Sequence, residues 1–109
     1  PGLVRDEDKC ILCGRCVEAC GAVQSVSAVS FAGRGARTRV SAFMGRGLGE
    51  SACVQCGQCA AVCPTAAITE RDETRAAWAA LAAPGETAVV QAAPAIRASL
   101  GEALGMPPG

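Results

Sequence analysis

Cys10-Ile-Leu-Cys13-Gly-Arg-Cys16-Val-Glu-Ala-Cys20 and Cys53-Val-Gln-Cys56-Gly-Gln-Cys59-Ala-Ala-Val-Cys63-Pro64 hold all eight cysteines of this 109-residue chain. Both runs read C-x2-C-x2-C-x3-C. Three cysteines at i, i+3 and i+6 on one tight loop can cap three iron corners of a cubane 4Fe–4S cluster. The fourth has already entered the following helix and points away, so it ligates the other cluster. The expected ligand sets are Cys10, Cys13, Cys16 and Cys63 on one cubane. Cys53, Cys56, Cys59 and Cys20 hold the second.

The spacing is that of two-cluster bacterial ferredoxins. Pro64 after Cys63 fits the pattern, whereas Gly21 after Cys20 departs from it. Gly14 and Gly57 follow the second cysteine of each run, where a missing side chain lets the backbone approach the cube and aim N–H groups at its sulfurs. Ile11, Leu12, Val17, Val54 and Val62 are apolar and would shelter the clusters. Burial and hydrogen bonding are the levers that set cluster potential. Disulfides and zinc compete less well. Cysteines three apart on one loop converge on a centre rather than pair off. Zinc sites use C-x2-C pairs from separate segments, often with His, and this chain has none.

The length allows one small domain with an appendage. Phe31, Phe43 and Trp78 are the only aromatic residues, so the organic core is thin and the clusters are expected to serve as part of it. Formal charge is zero at pH 7. Each oxidised cluster with its thiolates adds about −2 relative to neutral thiols, which brings the loaded chain to about −4. No stretch approaches the length of a membrane span, so membrane insertion is not expected. No signal peptide is visible, and low-potential clusters imply a reducing compartment, most simply the cytoplasm.

The local pattern predicts an α+β fold: a duplicated 2[4Fe-4S] ferredoxin-like unit, an inserted hairpin or loop between the cluster motifs, and a C-terminal helix–strand–helix appendage. Strands are expected at Leu3–Arg5, Val26–Phe31, Thr38–Ser41 and Ala67–Arg71, with Gly33-Arg-Gly35 as the turn of the inserted hairpin. Helices are expected from Arg15 to Gly21 and from Gly57 to Cys63. Asp72 reads as the N-cap of a further helix that carries Trp78 and Leu81 and stops at Pro84-Gly85. Thr87–Gln91 reads as a strand, and Pro94–Gly105 as a helix with Pro at its start. The expected segments are 1–71 for the two-cluster domain, 72–86 for a connecting helix and 87–109 for the start of something larger.

The insert has its own character. From Ala19 to Gly49 there is no acidic residue, while Arg34, Arg37, Arg39 and Arg46 are present. A basic loop beside anionic clusters could raise their potential or dock an acidic partner, although a solvated glycine-rich loop explains it as well. With no aromatic interleaving and no net charge, nucleic-acid binding is not expected.

The whole chain resembles the two-cluster module of iron-only (FeFe) hydrogenases. The likeness rests on Lys9-Cys-Ile-Leu-Cys-Gly-Arg-Cys16, Phe31-Ala-Gly-Arg-Gly35, Glu50-Ser-Ala-Cys53 and Cys56-Gly-Gln-Cys59. Up to Arg71 it is shared with NADH dehydrogenase and formate dehydrogenase subunits. The tail Val89-Val-Gln-Ala-Ala-Pro-Ala-Ile-Arg97, then Leu100-Gly-Glu-Ala-Leu-Gly-Met-Pro-Pro-Gly109, resembles the opening of the hydrogenase catalytic domain. The resemblance implies a parent oxidoreductase that reversibly oxidises H2 at a six-iron H-cluster. The two-cluster module would wire that catalytic domain to an external carrier such as ferredoxin or a flavin- or NAD-linked subunit. The H-cluster needs further cysteines, and every cysteine here is already committed to a cubane. The expected role of this chain is therefore electron transfer without catalysis. The same relay from a dehydrogenase subunit and a non-redox binding module with structural clusters are the alternatives.

Overall fold

A computed structural model describes residues 2–85 and 87–106. The chain divides after Asp72 into two units, each described separately. Glu86, in the expected connecting segment, and Pro107 to Gly109, at the end of the expected last segment, lie outside the described residues.

The first unit is a small mixed assembly of short helices and strands. Strand β1 (Leu3–Arg5) pairs antiparallel with β4 (Ile68–Glu70), Leu3 opposite Glu70 and Arg5 opposite Ile68. The register turns Leu3 and Ile68 inward, and both are buried. Between them lies a second two-stranded sheet, β2 (Val29–Ala32) against β3 (Arg39–Ala42), with Phe31 opposite Val40 and Ala32 opposite Arg39. Helix α1 (Arg15–Glu18) follows the first cysteine loop and runs into a π-helical turn at Ala19–Val23, two residues beyond the expected end at Gly21. Helix α2 (Gln58–Ala61) follows the second loop and packs on α1.

The core of this unit mixes cysteines with aliphatics. Leu3, Val29, Val40 and Ile68 form one buried group with Cys16 and Cys59, and Cys10, Val17, Cys20, Leu48 and Ala60 pack against it. Both sheets and both short helices therefore converge on the sulfur-bearing residues. Aliphatic burial at about 25 cal/mol per Å² is spread here over few large side chains, and Val40 is the only large one essentially closed to solvent among the described residues.

The inserted hairpin differs in register from the expectation. Ser25 and Ser27 have φ of 55° and 52°, a left-handed backbone that no strand continues through, so β2 begins at Val29 rather than Val26. The turn is longer than Gly33–Gly35 and closes through a 3-10 turn at Gly35–Arg37. A Cβ at Gly33 would run into the Arg37 carbonyl, which is why glycine stands at the start of that turn.

In the second unit, α3 spans Thr74–Ala82 and α4 spans Pro94–Ala103 with Pro94 in its first turn. Two expectations fail here. The residue at the N-cap of α3 is Glu73, not Asp72, and it makes no side-chain capping bond. Thr87–Gln91 forms no strand. Its Val89 and Val90 are 87% and 85% exposed, and an isolated β-prone run without a partner strand has no ladder to join. The appendage has two helices, and the described residues between them form no strand.

Candidate metal centres

The two cysteine loops are built alike. Leu12 and Gln55, each just before the second cysteine, have φ of 58° and 57°; Gly14 and Gly57, just after it, have φ of 77° and 79°. A pair of left-handed residues on either side of one cysteine bends the chain sharply and turns successive N–H groups inward, the form of an anion nest. Gly14 and Gly57 then act as N-caps of α1 and α2. The third cysteine of each run, Cys16 and Cys59, is buried, whereas the second, Cys13 and Cys56, is exposed. The helices thus carry one thiol of each run into the core and leave another at the surface.

The thiols influence one another across the unit. Burial pushes the Cys16 thiol above its ordinary value; backbone N–H groups of Val17 and Cys16 oppose that, and the neighbouring Cys10 and Cys13 thiols add to it. Burial likewise raises Cys59, against the Ala60 N–H, with Cys53, Cys16 and Cys20 pushing the same way. Cys63 goes in the other direction. Burial acts to raise it, but the Thr65, Ile68 and Ala67 N–H groups and the Thr65 hydroxyl hold it below the ordinary thiol range. The Thr65 oxygen lies 3.8 Å from the Cys63 sulfur.

Two cavities open at these loops. One is lined by Cys20 together with Cys53, Cys56 and Cys59, and its walls include Leu3, Val26, Val29 and Leu48. Its volume is about 20 Å³, little more than the roughly 10–15 Å³ that holds one water. The Ala28 N–H donates to the Cys20 sulfur at 3.2 Å. The other cavity is lined by Cys13 and Cys63, with Arg15, Val17, Glu18 and Phe31 around them. Cys10 and Cys16 do not line it; their link to Cys13 is the mutual effect of the three thiols on Cys16. Among the described residues no three His, Cys, Asp or Glu side chains are gathered tightly enough for a single metal ion.

The donor set fits a cubane. Soft thiolates are the ligands that iron–sulfur clusters select. The other walls of the cavity of Cys20, Cys53, Cys56 and Cys59 are mainly apolar, with Gln24 and Gln58 among them, and one of its sulfurs already accepts a backbone N–H. Residues that the sequence reading did not single out also shape the sites. Ala28 bonds Cys20, Thr65 stands beside Cys63, and the Ser51 hydroxyl accepts the Cys53 N–H at 3.4 Å. None has a sequence signal of its own, because each contact depends on a chain reversal near a cysteine.

The 4Fe-4S dicluster domain family matches residues 9–67. Over 107 residues the chain is 44% identical to the NADP-reducing hydrogenase subunit HndD of Solidesulfovibrio fructosivorans, covering 98% of this chain and 18% of that protein. It is 46% identical over 66 residues to a Bacillus subtilis protein named "Probable oxidoreductase YjgC", covering 61% of this chain and 7% of the relative. A Staphylococcus haemolyticus protein named "Putative formate dehydrogenase" matches at 46% over 65 residues, 60% of this chain and 7% of its own length. The chain thus spans less than a fifth of each of these relatives.

Proposed function

The chain belongs to the 4Fe-4S dicluster domain family, and from that premise we propose that it is the electron-relay module of an iron-only hydrogenase. Cys10, Cys13, Cys16 and Cys63 would hold one cubane, and Cys53, Cys56, Cys59 and Cys20 the other. When bound, each cubane supplies a centre that takes up and returns one electron. The protein's own residues ligate, insulate and tune. Leu3, Val29 and Leu48 exclude water around the second group, and the Ala28 N–H offsets charge on the Cys20 sulfur.

The observation that carries the relay reading is the position of Cys20. It lies in the first run by sequence, yet it lines one cavity with Cys53, Cys56 and Cys59. An exchanged fourth ligand is the arrangement of a two-cluster ferredoxin. The matched left-handed residues of the two loops and the pairing of β1 with β4 support a duplicated ferredoxin-like fold.

The hydrogenase parentage rests on reach. The likeness to the hydrogenase subunit runs over 107 residues and takes in the tail, whereas the other two matches stop at 66 and 65. A catalytic domain bearing the H-cluster and an external electron carrier are then the partners. Among the described residues no helix is long and apolar enough to cross a membrane, and a cytoplasmic site is part of the same reading.

A potentiometric titration followed by electron paramagnetic resonance tests the relay. The loaded protein should show two reversible one-electron reductions, with about eight iron and eight sulfide per chain. Clusters that resist reduction would make the module a structural binding domain. One cluster per chain would overturn the ligand assignment.

A further inference from the structure

Charge is segregated in the first unit. Asp6, Glu7 and Asp8 are grouped before the first cysteine loop, while the hairpin and the turn after it carry Arg34, Arg37, Arg39 and Arg46 with no acid between Ala19 and Gly49. Among the described residues Arg5 pairs with Glu7 and Lys9 with Asp6 at 3.3 Å, and none of those four arginines has an ion-pair partner. Arg34, Arg37 and Arg39 line one concave surface with Gly33. Arg39 and Arg46 line the next one, beside the Arg5–Glu7 pair. Arg39 lines both concavities. An Arg39 Nη atom lies 3.7 Å from where a Cβ on Gly45 would stand.

The same hairpin reaches the first cysteine group through Phe31 of β2. Phe31 is three residues before Arg34, is half exposed, and lines the cavity that contains Cys13 and Cys63. Cys13 is itself exposed. The hairpin therefore carries these cations on its turn and one face, and an apolar contact to a candidate redox centre on the other. Arginine and aromatic residues are the types enriched at protein interfaces. Electron-transfer encounters are small and short-lived, and complementary charge sets their rate and orientation.

We propose that the β2–β3 hairpin face of Arg34, Arg37, Arg39 and Arg46 is the docking surface for a small acidic electron-carrier protein. The inference rests on the relay reading given above. The carrier gives up one electron and is oxidised by one; the module gains that electron, and the reverse exchange uses the same face. Charge complementarity favours a protein with a negative surface around its redox centre. Nucleic acid is the weaker fit, because the exposed Phe43 is the one aromatic residue between Arg34 and Arg46, too few to stack successive bases.

The test compares the loaded protein with its Arg34→Gln/Arg37→Gln/Arg39→Gln and Arg34→Lys/Arg37→Lys/Arg39→Lys variants. The probes are a reduced, strongly acidic [2Fe–2S] ferredoxin and a reduced cationic viologen, mixed separately in stopped flow, with ferredoxin binding measured in parallel by calorimetry. The Gln variant should lose about tenfold or more of its ferredoxin rate and binding at low salt. The Lys variant should keep both. Raising salt from about 0.1 M to about 1 M, which shortens the Debye length from ~10 to ~3 Å, should slow the wild type much more than the Gln variant. Viologen should reduce all three proteins without loss of rate. Equal ferredoxin rates and salt slopes in wild type and Gln variant would overturn the proposal. Arginine-dependent binding of a labelled single-stranded RNA, with ferredoxin rates unchanged, would also overturn it. Failure of viologen to reduce the clusters is a different result: the relay reading itself would fall, and the docking surface with it.

Discussion

The ring of Phe31 lies over Gly14, where an added Cβ would stand 3.2 Å from the Phe31 Cζ atom. The equivalent glycine of the second loop, Gly57, would meet nothing within 4 Å. One position in the two loops is therefore closed over by the inserted hairpin, and its counterpart is open.

That difference separates backbone strain from crowding. Both glycines have left-handed φ, which costs an L-residue roughly 1–2 kcal/mol. Gly57→Ala should weaken the loaded protein by about that amount. Gly14→Ala should cost more, because Phe31 must also shift. Adding Phe31→Ala to Gly14→Ala should bring the loss back to the Gly57→Ala level. Rates of cluster bleaching by a chelator measure all three, and equal effects of the two glycine substitutions would show that the Phe31 contact does not matter.

Exchange of the fourth ligand makes a directional prediction. Cys20→Ser should perturb the centre of Cys53, Cys56 and Cys59, in whose cavity Cys20 lies. Cys63→Ser should perturb the centre of Cys10, Cys13 and Cys16. Resonance spectra of the two variants, assigned with a Cys13→Ser and a Cys56→Ser reference, decide the matter. If each run lost its own centre, the assignment would be wrong.

Thiol reactivity of the cluster-free chain should depend on position and pH. Burial raises Cys16 and Cys59, so the fold favours their neutral forms. Their contribution to stability is complete below the unfolded thiol value and is lost as pH climbs through the folded one. Cys63 is held low by the N–H groups around it, although burial opposes them. Its contribution is present above the unfolded value and is lost as pH falls through the folded one. At neutral pH a timed alkylation read by mass spectrometry should therefore label Cys63 ahead of Cys16 and Cys59. The cluster-free fold should lose stability on the alkaline side as Cys16 and Cys59 ionise. Uniform labelling would mean that the fold does not survive without its clusters.

The hydrogenase reading carries a prediction about chemistry. This 109-residue chain should neither evolve nor oxidise H2, even after treatment with H-cluster maturation proteins, since all eight cysteines are assigned to two cubanes. It should still accept electrons from a low-potential dye. Cluster-dependent H2 evolution in gas chromatography would demand an active site that the ligand count does not provide.

The cysteine loops were legible because their chemistry is local. A three-residue repeat of thiols and a glycine after the second one constrain a loop whatever surrounds it, and both loops have left-handed glycines at that position. Strands β1 and β4 were legible for a related reason: short apolar runs flank the cysteine runs, and Leu3 and Ile68 turn inward. The start of β2 was not legible. Val26 continues the apolar pattern, but Ser25 and Ser27 take left-handed backbone while the Val26 and Ser27 N–H groups bond the Cys20 carbonyl. The Thr87–Gln91 strand was misread because β propensity describes a fit to a neighbouring strand, and the described residues offer none there.

The amino-acid sequence by itself pointed to two alike thiol-bearing loops, each with a glycine after its second cysteine, since both follow from residue type and spacing within a few positions. Spacing already set Cys20 with the second run, whose cavity it lines; only the tertiary structure decided that Phe31 closes over Gly14 and that Arg34, Arg37 and Arg39 line one concave surface. These relationships link residues distant along the chain, or set which way side chains a few positions apart point. They arise when two small sheets and two short helices close on one core, and no local pattern encodes that closure.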